Sequence, residues 1–333
     1  MDPQDPTSFN HRTERLSTGR TYHFVDQIPE RHAATTPTIL CVHGFPDLWY
    51  GWRYQIGPWV RKGYRVIAVD MLGYGGSDKP KEPEDYTTKR LSSDLAALLD
   101  LVGVRQAVII GHDWGSYTVG RFALWYPERL LALIMMSVPF TPPAPVYIPI
   151  EEVAERVPNL AYQVYFADPS STREIEENLD VFLTAITAVP KKTASITRKG
   201  LMRDLVLGHT KLPSRTQSVL NDAERKYYLA EFAKGMNGPL SYYRTSKIRF
   251  DEEKGLPNSP RSGLPVLYIY GTEDRTSTPE QARRAVKWIP GIQDVALEGR
   301  GHWIMAEAKE DVTNKIAGWL DGLLLSSGTQ PKL

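Results

Sequence analysis

One short segment carries the sharpest chemical signal in this chain. Gly111-His112-Asp113-Trp114-Gly115 closes the aliphatic run at 107–111. The pattern is that of a nucleophile elbow, G-x-S-x-G, with aspartate in the serine position. Such an elbow is a tight strand-to-helix turn, and side chains at the two glycine positions would clash with neighbouring backbone. Asp113 is then displayed at the end of the strand, where the first N–H groups of the following helix keep its carboxylate ionised. An isolated aspartate before a helix is ordinarily a cap. The paired glycines and the preceding strand favour a nucleophile instead. A carboxylate is already charged at neutral pH and needs no base for its first attack. It suits displacement at a saturated carbon, leaving an ester that water can cleave. Those properties point to epoxides or alkyl halides rather than peptides or ordinary esters.

An acid and a histidine follow in the order such sites require. Gly271-Thr272-Glu273-Asp274 comes after the run VLYIY at 266–270, and Gly299-Arg300-Gly301-His302-Trp303 after the run at 295–297. His302 is expected to activate water, with Asp274 fixing its tautomer and stabilising the imidazolium. Glu273 is the alternative acid. His43-Gly44-Phe45-Pro46 follows a further strand candidate, Thr38–Val42. The backbone N–H groups of Phe45 and Trp114 are the expected oxyanion donors, each worth ~3–4 kcal/mol in the transition state. A cis Phe45–Pro46 bond is compatible with this turn. His43 and His112 flank the catalytic loops and are expected to hold them by hydrogen bonds. The remaining histidines are scattered without metal-ligand spacing.

The elements that must position these residues are legible as alternation. Thr38–Val42, Arg65–Val69, 107–111 and 131–136 are apolar runs without polar alternation, as for strands buried on both faces of a parallel sheet. Helical spacing links Leu95, Leu98, Leu99 and Val102 within 92–102. Strand, helix, strand, helix predicts an open α/β sheet with right-handed crossovers. Pro139, Pro142, Pro143, Pro145 and Pro149 then interrupt regular structure, and residues 151–249 read as mostly helical. A linker at 258–263 leads back to the strands at 266–270 and 295–297, and a last amphipathic helix fits 310–325. The expected organisation is a core of residues 1–141 and 259–333, with a helical cap of residues 142–258 inserted over the strand ends where open α/β sheets bind ligands.

Composition excludes several other functions. Lys and Arg number 40 against 39 Asp and Glu, so there is no electrostatic footprint for nucleic acid. The single cysteine, Cys41, allows neither an intramolecular disulfide nor a cysteine-based zinc site. The longest apolar run is far short of the ~20 residues of a membrane helix. The N-terminus lacks the apolar core of a signal peptide. The C-terminal Pro331-Lys332-Leu333 differs from the peroxisomal Ser-Lys-Leu signal at its first position, which leaves a cytoplasmic protein expected and a peroxisomal one as the alternative. No cofactor and no metal are expected.

The motifs together resemble one family. HGFPDLWYGWR at 43–53, DMLGYGGSDKP at 70–80, GHDWGS at 111–116 and GHW at 301–303 are similar to soluble epoxide hydrolases of the α/β-hydrolase fold. The resemblance spans most of the chain and is weakest in the insertion and tails. It implies a microbial or fungal type without the N-terminal phosphatase domain of the mammalian enzyme. It also implies two cap tyrosines that polarise the epoxide oxygen. Ala161-Tyr162-Gln163-Val164-Tyr165-Phe166 places the first at Tyr162, with Tyr165 its rival; Ser241-Tyr242-Tyr243-Arg244 places the second at Tyr243, with Tyr242 its rival. A phenol with a pKa near 10 stays protonated at neutral pH and can donate to the opening ring. His43, Phe45, Pro46, Trp114, Tyr162, Tyr243 and Trp303 are the expected pocket residues, and the expected partners are a small-molecule epoxide and water.

Two other functions fit parts of this pattern. A haloalkane dehalogenase also uses an aspartate nucleophile, and Trp114 could hold a halide. Its relatives usually carry a halide-binding residue in the HGxP loop, where this chain has Phe45, and haloacetate enzymes carry Arg where Trp114 stands. A non-catalytic ligand binder of the same fold has no need of nucleophile, acid, base and oxyanion loop together.

Overall fold

A computed structural model describes residues 1–30, 36–189, 196–211 and 218–326, with the backbone alone described for Ser326. The C-terminal tripeptide and His32 lie outside the described residues. Eight strands form one sheet: β1 His11–Arg15, β2 Thr21–Gln27, β3 Thr38–Val42, β4 Arg65–Val69, β5 Ala107–His112, β6 Leu130–Met136, β7 Val266–Gly271 and β8 Gln293–Leu297. Their spatial order is β1-β2-β4-β3-β5-β6-β7-β8. The strands from β4 to β8 run parallel, and β1 and β2 join antiparallel.

The apolar runs become the sheet centre. Every residue of β3, β5 and β7 is buried, because helices cover both faces of a parallel sheet. The helix Thr88–Leu101 begins a turn earlier than its leucine spacing suggested and buries Leu91, Leu95, Leu98 and Leu99. It packs on the helix Trp114–Trp125, which follows Asp113. The helix Arg53–Arg61 packs on the last helix, Lys309–Ser326, with Trp59 donating its indole N–H to the Thr313 carbonyl.

The strands β1 and β2 carry no apolar run and were not anticipated. β1 reads His-Arg-Thr-Glu-Arg and is exposed on alternate residues. It is held by backbone pairing and by Arg12 against the buried Asp26 of β2, so composition alone does not mark it as a strand.

The chain leaves the sheet after β6 and returns at β7. The described residues between Ile150 and Glu253 contribute helices and no sheet strand. This segment is seated on the strand ends by specific polar contacts. Tyr242 donates to the Leu72 carbonyl (2.9 Å), Tyr228 to Asp47 (2.6 Å), and the Trp303 indole to the Ile186 carbonyl (3.0 Å). The buried Arg53 guanidinium pairs with Glu224 at 2.9 Å. β3 connects to β4 on one side while β5 lies on its other side. The crevice between β3 and β5 is therefore the topological switch point, the usual ligand site of open α/β sheets.

Candidate active site

Asp113, Phe45, Asp274 and His302 all lie just beyond the C-terminal ends of strands, on β5, β3, β7 and β8 respectively. Asp113 adopts φ +53° and ψ −119°. That conformation is unfavourable for a residue with a side chain and persists only where its surroundings enforce it. Gly111 and Gly115 make it possible. A Cβ on Gly115 would meet the Val42 carbonyl oxygen at 2.1 Å, and one on Gly111 the Gly115 carbonyl oxygen at 2.4 Å. The elbow is thus wedged against β3, and no larger residue fits at either glycine.

The carboxylate is held on both oxygens. The Phe45 backbone N–H donates to Oδ1 at 2.8 Å, and His302 Nε2 faces Oδ2 at 3.4 Å. His302 Nδ1 lies 2.8 Å from Asp274 Oδ2. The Phe45–Pro46 peptide is cis. Of the two carboxylates after β7, Asp274 reaches the histidine and Glu273 is exposed. Thr276, which sequence reasoning did not single out, ties the pair together. Its N–H and hydroxyl bond Asp274 Oδ1 at 2.8 and 2.7 Å, and its hydroxyl lies 3.0 Å from His302 Nδ1. The only hint was its place two residues after an aspartate, the spacing of an Asx turn. Ser137 was missed as well; it donates to the His302 carbonyl at 2.9 Å.

The charges reinforce one another. Burial opposes ionisation of Asp113 and Asp274, yet His302, the Phe45 amide and Thr276 hold both carboxyls below the usual aspartate range. Burial likewise disfavours the His302 cation, but the two flanking carboxylates raise its pKa well above the ordinary value. The resting arrangement is an imidazolium between two carboxylates.

His43 and His112 hold the loops from behind. His43 Nδ1 donates to the Gly44 carbonyl at 2.8 Å, and Nε2 accepts from the Met71 N–H at 3.0 Å. His112 Nε2 bonds the His302 carbonyl at 2.9 Å. Burial lowers the pKa of each to about 4. Both are neutral in the folded state, whereas in the unfolded chain each takes up a proton near pH ~6.5. Each histidine therefore withdraws about 1–2 kcal/mol of folded stability by pH ~5, opposed in the same window by the buried Asp47 carboxyl, whose pKa burial raises to about 7. The depressed carboxylates lose their contribution only at lower pH, below ~4. Urea unfolding at these pH values should show the loss, and His112→Gln should reduce the slope. A pH dependence unchanged in His112→Gln relative to wild type would remove the assignment of that residue as a buried neutral group.

Two cavities meet at Asp113. The smaller, about 740 Å³, is lined by Phe45, Ile186, Ile196, Asp274, His302 and Trp303 among others. The larger, about 1920 Å³, extends past Trp114 and Tyr117 to Val146 and Trp288. Both include Asp113, Tyr162, Tyr243 and Thr276. The Tyr162 and Tyr243 rings are 6.4 Å apart on the same wall. The Trp114 ring packs perpendicular to that of Tyr243 at 5.1 Å. Burial keeps both phenols protonated, their pKa values raised further by the Asp113 charge. The rival tyrosines face elsewhere. Tyr242 donates to the Leu72 carbonyl, and Tyr165 lines neither cavity. His43 lies behind the wall rather than on it, because its ring is spent on Gly44 and Met71. Pro46 faces a separate cavity of about 330 Å³, beside Asp47 and Arg53.

Among the described residues no group of three His, Cys, Asp or Glu side chains is arranged to hold a metal, and no helix is long and apolar enough to cross a membrane.

A family model described as the alpha/beta hydrolase fold matches residues 37–309. The bifunctional epoxide hydrolase 2 of Mus musculus is 32% identical over 322 residues, which are 96% of this chain and 56% of that protein. The chain thus spans about half the length of this mammalian relative. Epoxide hydrolase A of Mycobacterium tuberculosis is 34% identical over 87% of this chain and 92% of its own length. Among solved structures, an epoxide hydrolase from Vigna radiata superposes with a TM-score of 0.80 at 26% identity, covering 96% of this chain and 99% of that one. Epoxide hydrolase A of Mycobacterium thermoresistibile gives 0.78 at 28%, covering 94% and 98%.

Proposed function

We propose that this chain, which belongs to the α/β-hydrolase fold family and within it to the epoxide hydrolases, converts an epoxide to a vicinal diol through an ester on Asp113. The observation that carries this reading is the way the two Asp113 oxygens are divided. Oδ1 is occupied by the Phe45 N–H, while Oδ2 faces His302 at the junction of the two cavities, with Tyr162 and Tyr243 on the same wall.

In the first step Oδ2 attacks an epoxide carbon from behind, forming a C–O bond as the ring C–O bond breaks. Tyr162 and Tyr243 donate hydrogen bonds to the ring oxygen, and one of them supplies its proton. Residues 142–258 act as the cap that brings these phenols over the nucleophile held by residues 1–141 and 259–333. In the second step water attacks Asp113 Cγ while His302 Nε2 takes its proton. The charge that develops on Oδ1 is held by the Phe45 N–H and by that of Trp114, the first residue of the following helix. Collapse of the tetrahedral intermediate breaks its bond to the diol oxygen, which takes up the proton left on the added hydroxyl; this restores the Asp113 carboxylate beside the His302 imidazolium.

The electrostatics time the two steps. While Asp113 is ionised, His302 sits between two carboxylates and is held as the cation. Esterification removes one of those charges. The histidine pKa then falls, its proton passes by way of solvent to the phenolate left by ring opening, and a neutral imidazole is available when water must be activated. Asp274 remains to orient the ring and stabilise the imidazolium.

Intact mass of His302→Gln after exposure to an epoxide, and separately to a haloalkane, tests the reading. Without its base the ester should accumulate. A gain equal to the whole epoxide, mapped to Asp113, is the expected result. A gain of only the alkyl group, from the haloalkane alone, would make the protein a dehalogenase. No adduct from either would favour a non-catalytic binder.

A further inference from the structure

The larger of the two cavities contains a positive charge that its neighbours do not balance. Arg121, Arg249 and Arg284 line it, together with Glu253 and Asp113. Arg121 is matched by Glu253 at 2.8 Å, Arg284 by Glu280 at 2.6 Å, and Asp113 faces His302. Arg249 has no carboxylate at ion-pair distance among the described residues. Its Nε donates to Thr245 Oγ1 at 3.0 Å, and its guanidinium lies over the rings of Trp114 and Tyr117 at 5.0 and 5.1 Å. These contacts fix the half-buried group on the cavity wall without neutralising it. Trp114 in turn lies 5.1 Å from Tyr243, so the guanidinium is at most about 10 Å from the Tyr243 ring.

We infer that Arg249 is a specificity-determining residue that selects epoxides bearing a carboxylate on a short aliphatic spacer. The inference rests on the epoxide reading above. With the oxirane between Asp113 and the two tyrosines, the spacer follows the apolar wall beside Trp114 and the carboxylate meets the guanidinium held over that ring. Arginine binds a carboxylate through two parallel N–H bonds, and an orientation already fixed by aromatic stacking reduces the entropy lost on binding. Most of the surrounding wall, with Val138, Phe140, Val146 and Phe250, is apolar, and its Arg121 and Glu253 are spent on each other, which leaves the Arg249 guanidinium to orient an anionic substrate there.

Terminal epoxides of medium-chain alkanoic acids, and the corresponding primary amides, separate charge recognition from shape. Wild type should prefer the acid. In Arg249→Gln, kcat/KM for the acid should fall about ten- to thirtyfold, mainly through KM, as expected for loss of a charge-assisted pair. The amide should change less than about threefold, and Arg249→Lys, which keeps the charge, should lie between for the acid. Equal losses on acid and amide would mean that Arg249 merely supports Trp114, and would overturn the inference. So would turnover of the amide with none of the acid, or an acid rate unchanged by the substitution. If wild type turns over neither compound and His302→Gln gains no adduct, the epoxide reading itself falls and this inference with it.

Discussion

Asp113→Ala should reduce diol formation by at least about 10⁴-fold while leaving the fold intact, since removing a nucleophile removes the covalent route altogether. The scale follows from what the substitution leaves behind. Phe45, Tyr162, Tyr243 and His302 still surround the cavity, so some catalysis by binding and polarisation can survive. That residue of activity is small because no remaining group is both charged and aligned with the epoxide carbon. The variant also deletes one of the two carboxylates that raise the His302 pKa. His302 should therefore titrate at lower pH in Asp113→Ala than in wild type, which an imidazole NMR signal can follow. Diol release under substrate excess, with circular dichroism as the folding control, decides the main point. Full activity in Asp113→Ala would end the proposal. The alanine also relieves little backbone strain, because the positive φ at this position is still imposed by the elbow.

The second large effect concerns ring opening. Tyr162→Phe and Tyr243→Phe should each slow alkylation of Asp113 by about 10- to 100-fold, and the double variant by about 10³- to 10⁴-fold. The loss is greater in the pair because each phenol can partly replace the other while one remains. An epoxide leaves as an alkoxide, and without a proton donor that species must form unassisted in a cavity where burial makes charge expensive. The second step uses His302 and the backbone amides rather than the phenols. A preformed ester should therefore hydrolyse at nearly the wild-type rate. Pre-steady-state measurement in the double variant separates the two steps. Unchanged alkylation would refute the tyrosine assignment, and equal slowing of both steps would indicate a disturbed site. The rings themselves are well packed, Tyr243 against Trp114, Phe45 and Phe166, so replacing hydroxyl by hydrogen keeps the wall intact.

The chemistry of this protein is written in short contiguous stretches. Two glycines around Asp113 following an aliphatic run specify a strand, a forced turn and a displayed side chain, because each of those constraints acts within a few residues. Buried parallel strands are likewise visible as unbroken apolar runs, and β3, β4, β5 and β6 emerged within a residue of their expected limits. The order Asp113, Asp274, His302 is a property of the chain itself. What followed from tertiary structure alone are choices between neighbours. Asp274 rather than Glu273 meets His302 because the turn after β7 buries one carboxylate and exposes the other. Tyr162 and Tyr243 face the nucleophile, while Tyr242 is spent on Leu72, because the seating of the helical segment on the strand ends sets the direction of each side chain. Thr276 and Ser137 became visible only as contacts, and β1 only as a pairing, since a polar edge strand is held by backbone hydrogen bonds that no side-chain pattern records; β2, inside the sheet between β1 and β4, buries Tyr22, Phe24 and Val25 without an unbroken apolar run. The two cavities and the unbalanced Arg249 belong to the same class. They arise where segments more than a hundred residues apart in sequence close on one another, and a charge is unpaired only with respect to neighbours that folding brings or withholds.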